Sequence, residues 1–143
     1  MIPMPQGAPV DQPETADKCR TETADKCRIL IVDDNKDLAT SLARLLGLLG
    51  HEVEVVFDGR KALEAARIYR PRVLLLDIGL PLVDGYQVAR TLRQEGFHDI
   101  LIIALSGYGQ EEDRRRSREA GMNHHVTKPV DVKTIAELIA RAN

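Results

Sequence analysis

In this 143-residue chain, polar residues that could carry chemistry follow directly on short apolar runs. Asp33 and Asp34 follow Ile29–Val32, Asp77 follows Val73–Leu76, Ser106 follows Ile100–Leu105, and Lys128 follows His125–Thr127. Any one of them alone is an ordinary turn or helix-cap residue. If the apolar runs are strands of one parallel sheet, however, all of these side chains meet on one rim. Carboxylates gathered there would raise one another's pKa unless a cation sat among them. A hard divalent ion such as Mg2+ suits the set, because it is commonly held by one or two carboxylates together with phosphate oxygens. Lys128 would add a fixed ammonium, and the two cations together would stabilise charge on a transferring phosphoryl group. A carboxylate is a competent nucleophile toward phosphorus. Ser106 offers a hydroxyl able to hydrogen-bond a phosphate oxygen.

The elements that must position these groups are legible from Arg28 onward. The apolar runs Ile29–Val32, Val53–Phe57, Val73–Leu76, Ile100–Leu105 and His125–Thr127 alternate with helical patterns, the signature of stacked βαβ units around a parallel sheet. Leu38, Leu42, Leu45, Leu46 and Leu49 recur at helical spacing before Gly50 and share an arc of roughly 100°, the usual width of a buried stripe. Leu48 falls outside that arc and is expected to be exposed. Ala62, Leu63, Ala66 and Tyr69 mark a second helix between Asp58-Gly59 and Pro71. Tyr86, Val88, Ala89 and Leu92 mark a third, with Asp84 as N-cap. A fourth, from about Glu111 to Ala120, is polar on most sides, with Glu111/Arg115 and Glu112/Arg116 spaced for ion pairs, and Gly121 ends it. A fifth starts near Asp131 and buries Val132, Ile135, Leu138 and Ile139. The expected fold is a doubly wound α/β (βα)5 sheet whose ligands bind at the carboxyl ends of the strands.

Twenty Lys and Arg against twenty-two Asp and Glu exclude the bulk positive charge of a basic nucleic-acid-binding domain. No apolar run approaches the roughly 20 residues that span a bilayer, and no secretory signal layout opens the chain, so a cytoplasmic setting is expected. Residues 1–27 carry polar and proline-rich text with no apolar periodicity and read as a flexible leader ahead of a single domain, 28–143. Within the leader Glu14–Arg20 recurs as Glu22–Arg28, a local duplication too short for a repeat fold. Cys19 and Cys27 both precede the first strand, so neither a disulfide scaffold nor a zinc site is expected in the folded core.

The rim residues and their flanks resemble the receiver domain of two-component response regulators across Arg28–Asn143. Val32-Asp33-Asp34-Asn35 is similar to that family's acidic pair, and Leu76-Asp77-Ile78-Gly79-Leu80-Pro81-Leu82-Val83-Asp84-Gly85 to its phosphoacceptor strand end and loop. Ala104-Leu105-Ser106-Gly107 resembles the switch hydroxyl, and Thr127-Lys128-Pro129 the family's lysine and proline. The resemblance implies a flavodoxin-like sheet of order 2-1-3-4-5, with Asp77 as phosphoacceptor. It implies Mg2+ held by Asp33, Asp34, Asp77 and the Gly79 carbonyl, Lys128 paired with the phosphoryl group, and a cis bond before Pro129. The donor would be a sensor histidine kinase or histidine phosphotransfer protein docking on the first helix. Output would pass to a downstream protein through the fourth helix, fifth strand and fifth helix, with no direct contact to nucleic acid or membrane. Such a domain is a phosphoacceptor acting on its own carboxylate, not an enzyme with turnover. His125 stands where the family usually has tyrosine or phenylalanine, and is expected to rotate into space that Ser106 vacates. The wording of Asp77–Pro81 and His124-His125 is similar to receivers of hybrid sensor kinases.

Two rival classes fit less well. A haloacid-dehalogenase-like aspartyl phosphatase needs a second aspartate two residues after the nucleophile, where this chain has Gly79. A flavin- or nucleotide-binding module could use Gly107-Tyr108-Gly109, but Glu112 stands at the third glycine of that fingerprint, where a carboxylate would repel pyrophosphate.

Overall fold

The computed structural model describes residues 27–107 and 111–141. In chain order the elements are β1 (Arg28–Val32), α1 (Lys36–Leu48), β2 (Glu52–Val56), α2 (Gly59–Tyr69), β3 (Val73–Asp77), α3 (Gly85–Gln94), β4 (Leu101–Ser106), α4 (Glu111–Glu119), β5 (His124–Thr127) and α5 (Val132–Arg141). The strands form one parallel sheet in the order β2-β1-β3-β4-β5, the flavodoxin-like order. The chain departs from β1 to one side for β2 and to the other for β3. That reversal opens a crevice beyond the carboxyl ends of β1 and β3.

Alternation along the buried strands divides the core in two. Leu30, Val32, Leu74, Leu76, Ile102 and Ala104 face α2 and α3, where Ala62, Ala66, Val88, Ala89 and Leu92 cover them. Ile29, Ile31, Leu75, Ile103 and Leu105 face α1 and α5, under Ala39, Leu42, Leu46, Ile135 and Ile139. Both faces of the central strands are therefore dry, which is why β1, β3 and β4 read as nearly unbroken apolar runs. The edge strand β2 is only half covered. On α5 only Ile135 and Ile139 are fully buried, while Val132 and Leu138 flank the cluster half-buried.

Three expectations need correction. Leu45 and Leu49 are exposed along with Leu48, because the face of α1 that meets the sheet is the narrower stripe Ala39, Leu42, Leu46. Leu45 lies about 90° from the centre of that stripe at 100° per residue, and Leu49 is the C-cap. Second, Cys27 is buried, since it extends the alternation of Ile29 and Ile31 onto the same face. It is also disulfide-bonded, with its partner outside the described residues. Third, the ion pairs of α4 differ from those expected: Arg115 pairs with Glu112 and Glu119, and Arg118 approaches Glu111. Arg116 instead lies over the Tyr86 ring, 4.3 Å from its centroid. The duplicated leader segment ahead of Cys27, and Tyr108 and Gly109 of the glycine motif, fall outside the described residues.

Loops are fixed by local chemistry. Asn35, Asp58 and Asp84 cap α1, α2 and α3 by accepting from Leu38, Lys61 and Gln87 N–H. Gln87 reaches back to Asp84 N–H and completes a capping box. Gly85 is required by close approach, because a Cβ there would stand 2.6 Å from the Asp77 carbonyl oxygen and 2.7 Å from Ile78 Cα. Gly85→Ala is therefore expected to lose about 1–3 kcal/mol of stability in urea denaturation, because backbone must move to admit the methyl. Gly47→Ala on α1, with nothing within 4 Å of the added Cβ, should gain about 0.5–1 kcal/mol. Equal stabilities for the two variants would contradict this packing.

Candidate functional site

The register of the sheet sets the rim. Val32 pairs with Leu76, Leu76 with Ala104, and Ala104 with His125, so the residues that follow emerge on one level. Asp33 and Asp77 are thereby brought into the crevice and buried, at 0% and 6% exposure, while Asp34 stays exposed. One oxygen from each of the three carboxylates lies within 4.8 Å of the others. Lys128 enters from the far side of the crevice, its Nζ 3.0 Å from Asp33 Oδ2 and 3.5 Å from Asp77 Oδ2. The peptide bond that follows it, Lys128–Pro129, is cis, and Lys128 N–H donates to the Ser106 carbonyl at 2.7 Å.

The other carboxylate oxygens are held by the turns in which they sit. Asp33 Oδ1 accepts from Asn35 N–H and Asp77 Oδ1 from Gly79 N–H, both at 2.9 Å. These bonds aim the remaining oxygens inward. Asp33 Oδ2 is fully buried and, although close to the ammonium, has no aligned hydrogen-bond donor among the described residues. Burial pushes the Asp77 carboxyl up to about 6, with the Asp33 charge adding to the rise and the Gly79 N–H and Lys128 opposing it. Lys128 ends above its ordinary value: burial acts to lower it, but its close contacts with the Asp33 and Asp77 carboxylates outweigh burial. Excess negative charge, an unaligned buried oxygen and an all-oxygen donor set fit a hard divalent cation.

Ser106 and His125 lie one level beyond. Ser106 is buried, and its Oγ is 2.7 Å from His125 Nε2. The ring therefore stands against the hydroxyl whose place it was expected to take. Leu48 is exposed as expected, but it closes the end of α1 farthest from the rim, about 18 Å of helix rise from Lys36. Sequence reasoning missed a nearer apolar group. Leu82, at φ +67° in the loop between β3 and α3, is 99% exposed. The apolar text Leu80-Pro81-Leu82 inside a loop was the available signal, since Leu80 is buried and Leu82 is not.

The response regulator receiver domain model matches residues 29–140. The transcriptional regulatory protein PrrA of Mycobacterium tuberculosis is 40% identical over 113 residues, which is 79% of this chain and 47% of PrrA. The chain thus spans about half the length of the curated relatives it matches. Among solved structures, the signal receiver domain of a signal transduction histidine kinase from Syntrophus aciditrophicus is 31% identical with a TM-score of 0.74, covering 81% of this chain and 89% of that one. A response regulator from Chloroflexus aurantiacus is 28% identical with a TM-score of 0.77, covering 82% and 97%.

The strained charge balance has a measurable consequence. With the folded Asp77 pKa near 6 and the unfolded value near 3.8, the folded state binds the extra proton between those values. Stability should therefore fall as pH rises from about 4 to about 6, and remain lower at neutral pH. Asp77→Asn has no such slope. Without divalent cation at pH 7 it should be more stable than wild type by about 1–2 kcal/mol after allowance for screening at the rim, with the gap closing below about pH 4. Urea denaturation in chelator across this range checks it, and a less stable Asp77→Asn at neutral pH would refute it.

Proposed function

The chain belongs to the response regulator receiver-domain family, and from that premise we propose that Asp77 is the carboxylate on which this phosphorelay receiver accepts its phosphoryl group. The observation that supports the assignment is the placing of Lys128 Nζ against both buried carboxylates, Asp33 and Asp77, at the mouth of the sheet. Mg2+ held by Asp33, Asp34 and Asp77, with the Gly79 carbonyl, would supply positive charge to the phosphoryl oxygens. Asp77 forms the new oxygen–phosphorus bond as the bond from phosphorus to the donor's imidazole nitrogen breaks. Lys128 holds a fixed ammonium against the charge on the transferring oxygens, and Ser106 supplies a hydroxyl donor to one of them. The carboxylate is consumed in each round, so the domain acts on itself and is not an enzyme with turnover.

The donor in this reading is a phosphohistidine on a sensor histidine kinase or a histidine phosphotransfer protein, and the exchange takes place in the cytoplasm. Output passes through α4, β5 and α5 to a downstream protein, without direct contact to nucleic acid by this domain. An aspartyl phosphatase is disfavoured by Gly79 two residues after Asp77, where such an enzyme places its second aspartate.

Acetyl phosphate with Mg2+ should phosphorylate wild type and leave Asp77→Asn unmodified, as read by intact mass. Modification of the Asn variant at the wild-type rate would remove Asp77 from the role. Exposed Leu82, in the loop that leaves Asp77, should be covered by a protein donor and not by a small one. Leu82→Asp is therefore expected to slow transfer from a phosphohistidine protein several-fold while leaving acetyl phosphate labelling unchanged. Equal slowing of both would show that the substitution acts on the site instead.

A further inference from the structure

Of the five strand ends, that of β2 supplies none of the residues assigned to the site. The corner that follows it, Phe57-Asp58-Gly59, nevertheless touches both loops that carry the carboxylates. Toward the acidic turn, the Val56 carbonyl accepts from Asp33 N–H at 3.3 Å, and the Lys36 ammonium at the start of α1 lies 5.1 Å from the centroid of the Phe57 ring. Toward the loop after Asp77, the contact is made by a residue with no side chain. Gly59, buried as the first residue of α2, stands so close to Val83 that a Cβ on it would lie 2.4 Å from the Val83 carbonyl oxygen and 3.0 Å from Val83 Cβ. Asp58 caps the helix at that point and Ala62 and Ala66 bury the turns that follow, so α2 has little freedom to retreat.

We propose that Gly59, at the β2–α2 corner, is the positioning residue that sets the distance between the Asp33-Asp34 turn and the loop of Asp77 and Gly79, and so favours a small divalent cation over a larger one. This rests on reading those residues as the Mg2+ site. The loop is pinned at each end: Asp77 Oδ1 takes the Gly79 N–H, and Gly85 packs against Asp77 and Ile78 with no room for a methyl. Leu80 is buried between them. A methyl at position 59 would push Val83 back by about 1 Å to reach ordinary van der Waals contact, and with both ends pinned that movement falls on residues 79–82. Mg2+ demands near-octahedral oxygens at about 2.0–2.1 Å, whereas Ca2+ accepts looser shells at about 2.3–2.6 Å. Displacing one loop of the pair therefore weakens Mg2+ more than Ca2+. A general loss of stability would weaken both alike.

The test titrates the full 15N-labelled chain with Mg2+ and, separately, with Ca2+, with no phosphodonor present, and follows the Asp34 and Gly79 amides by NMR. Gly59→Ala should weaken Mg2+ binding about tenfold, the lower end of what changes behind metal ligands cost, and Ca2+ binding much less. Ala66→Gly, farther along α2 and away from the loop, destabilises the same helix and should leave both affinities at their wild-type values. Should Gly59→Ala not fold, Val83→Ala is read in its place: it loosens the loop from α2 without a clash and should show the same selective loss of Mg2+. Wild-type Mg2+ affinity in the folded variant, or an equal loss of Mg2+ and Ca2+, would overturn the proposal. A wild-type protein that does not bind Mg2+, or that binds it equally well after Asp33→Ala, would overturn the metal reading instead. The metal-free Gly79 amide would then still decide whether the corner positions that loop, since it should shift in the folded variant and an unshifted signal would show that it does not.

Discussion

The structure turns on an unbalanced charge. Among the described residues, two buried carboxylates and one exposed one share a crevice with one ammonium, and the sheet register holds them there whatever their mutual repulsion. A fold does not ordinarily bury charge without full compensation, because desolvation of each ion costs several kcal/mol. Here the imbalance is kept by the covalent and hydrogen-bonded geometry of strand ends whose apolar residues are completely dry. The core supplies the free energy, and the rim carries the strain.

That division explains the arrangement of the loops. Each carboxylate that faces inward is oriented by a backbone N–H two residues on, at Asn35 and at Gly79. The loop after Asp77 must then leave the crevice at once, and it does so along a path so close to β3 that only glycine fits at Gly85. Its cap, Asp84 with Gln87, fixes where α3 begins. Leu82 is left on the outside of that tight path at positive φ, which for a leucine is a strained conformation that the surrounding turn must sustain.

On the other side of the crevice the charged site meets a chain of hydrogen-bonded side chains. Ser106 lies next to the ionic site in space and next to His125 in bonding, so it belongs to both. Histidine at this position differs from an aromatic ring in having two polar edges. Both are used, one toward β4 and one toward α4.

Much of this was determined by sequence alone. The alternation of apolar runs with helical patterns fixed the element order, since burial on both faces demands unbroken apolar strands, and the polar residues closing those runs had to share one rim. Asp33, Asp34, Asp77, Ser106 and Lys128 could therefore be named before any coordinates. What sequence could not decide was anything set by contacts between elements distant along the chain. The narrow stripe by which α1 meets the sheet left Leu45 exposed, and Leu49 stands at the helix C-cap, although periodicity had assigned both to the core. Side-chain choice on α4 placed Arg116 over Tyr86 of α3 in preference to its i,i+4 glutamate. The buried pairing of Ser117 with His125 was equally invisible, because a serine in a polar helix carries no pattern of its own. Local periodicity reports which face of an element is dry; only the packed fold decides what stands against each side chain on that face.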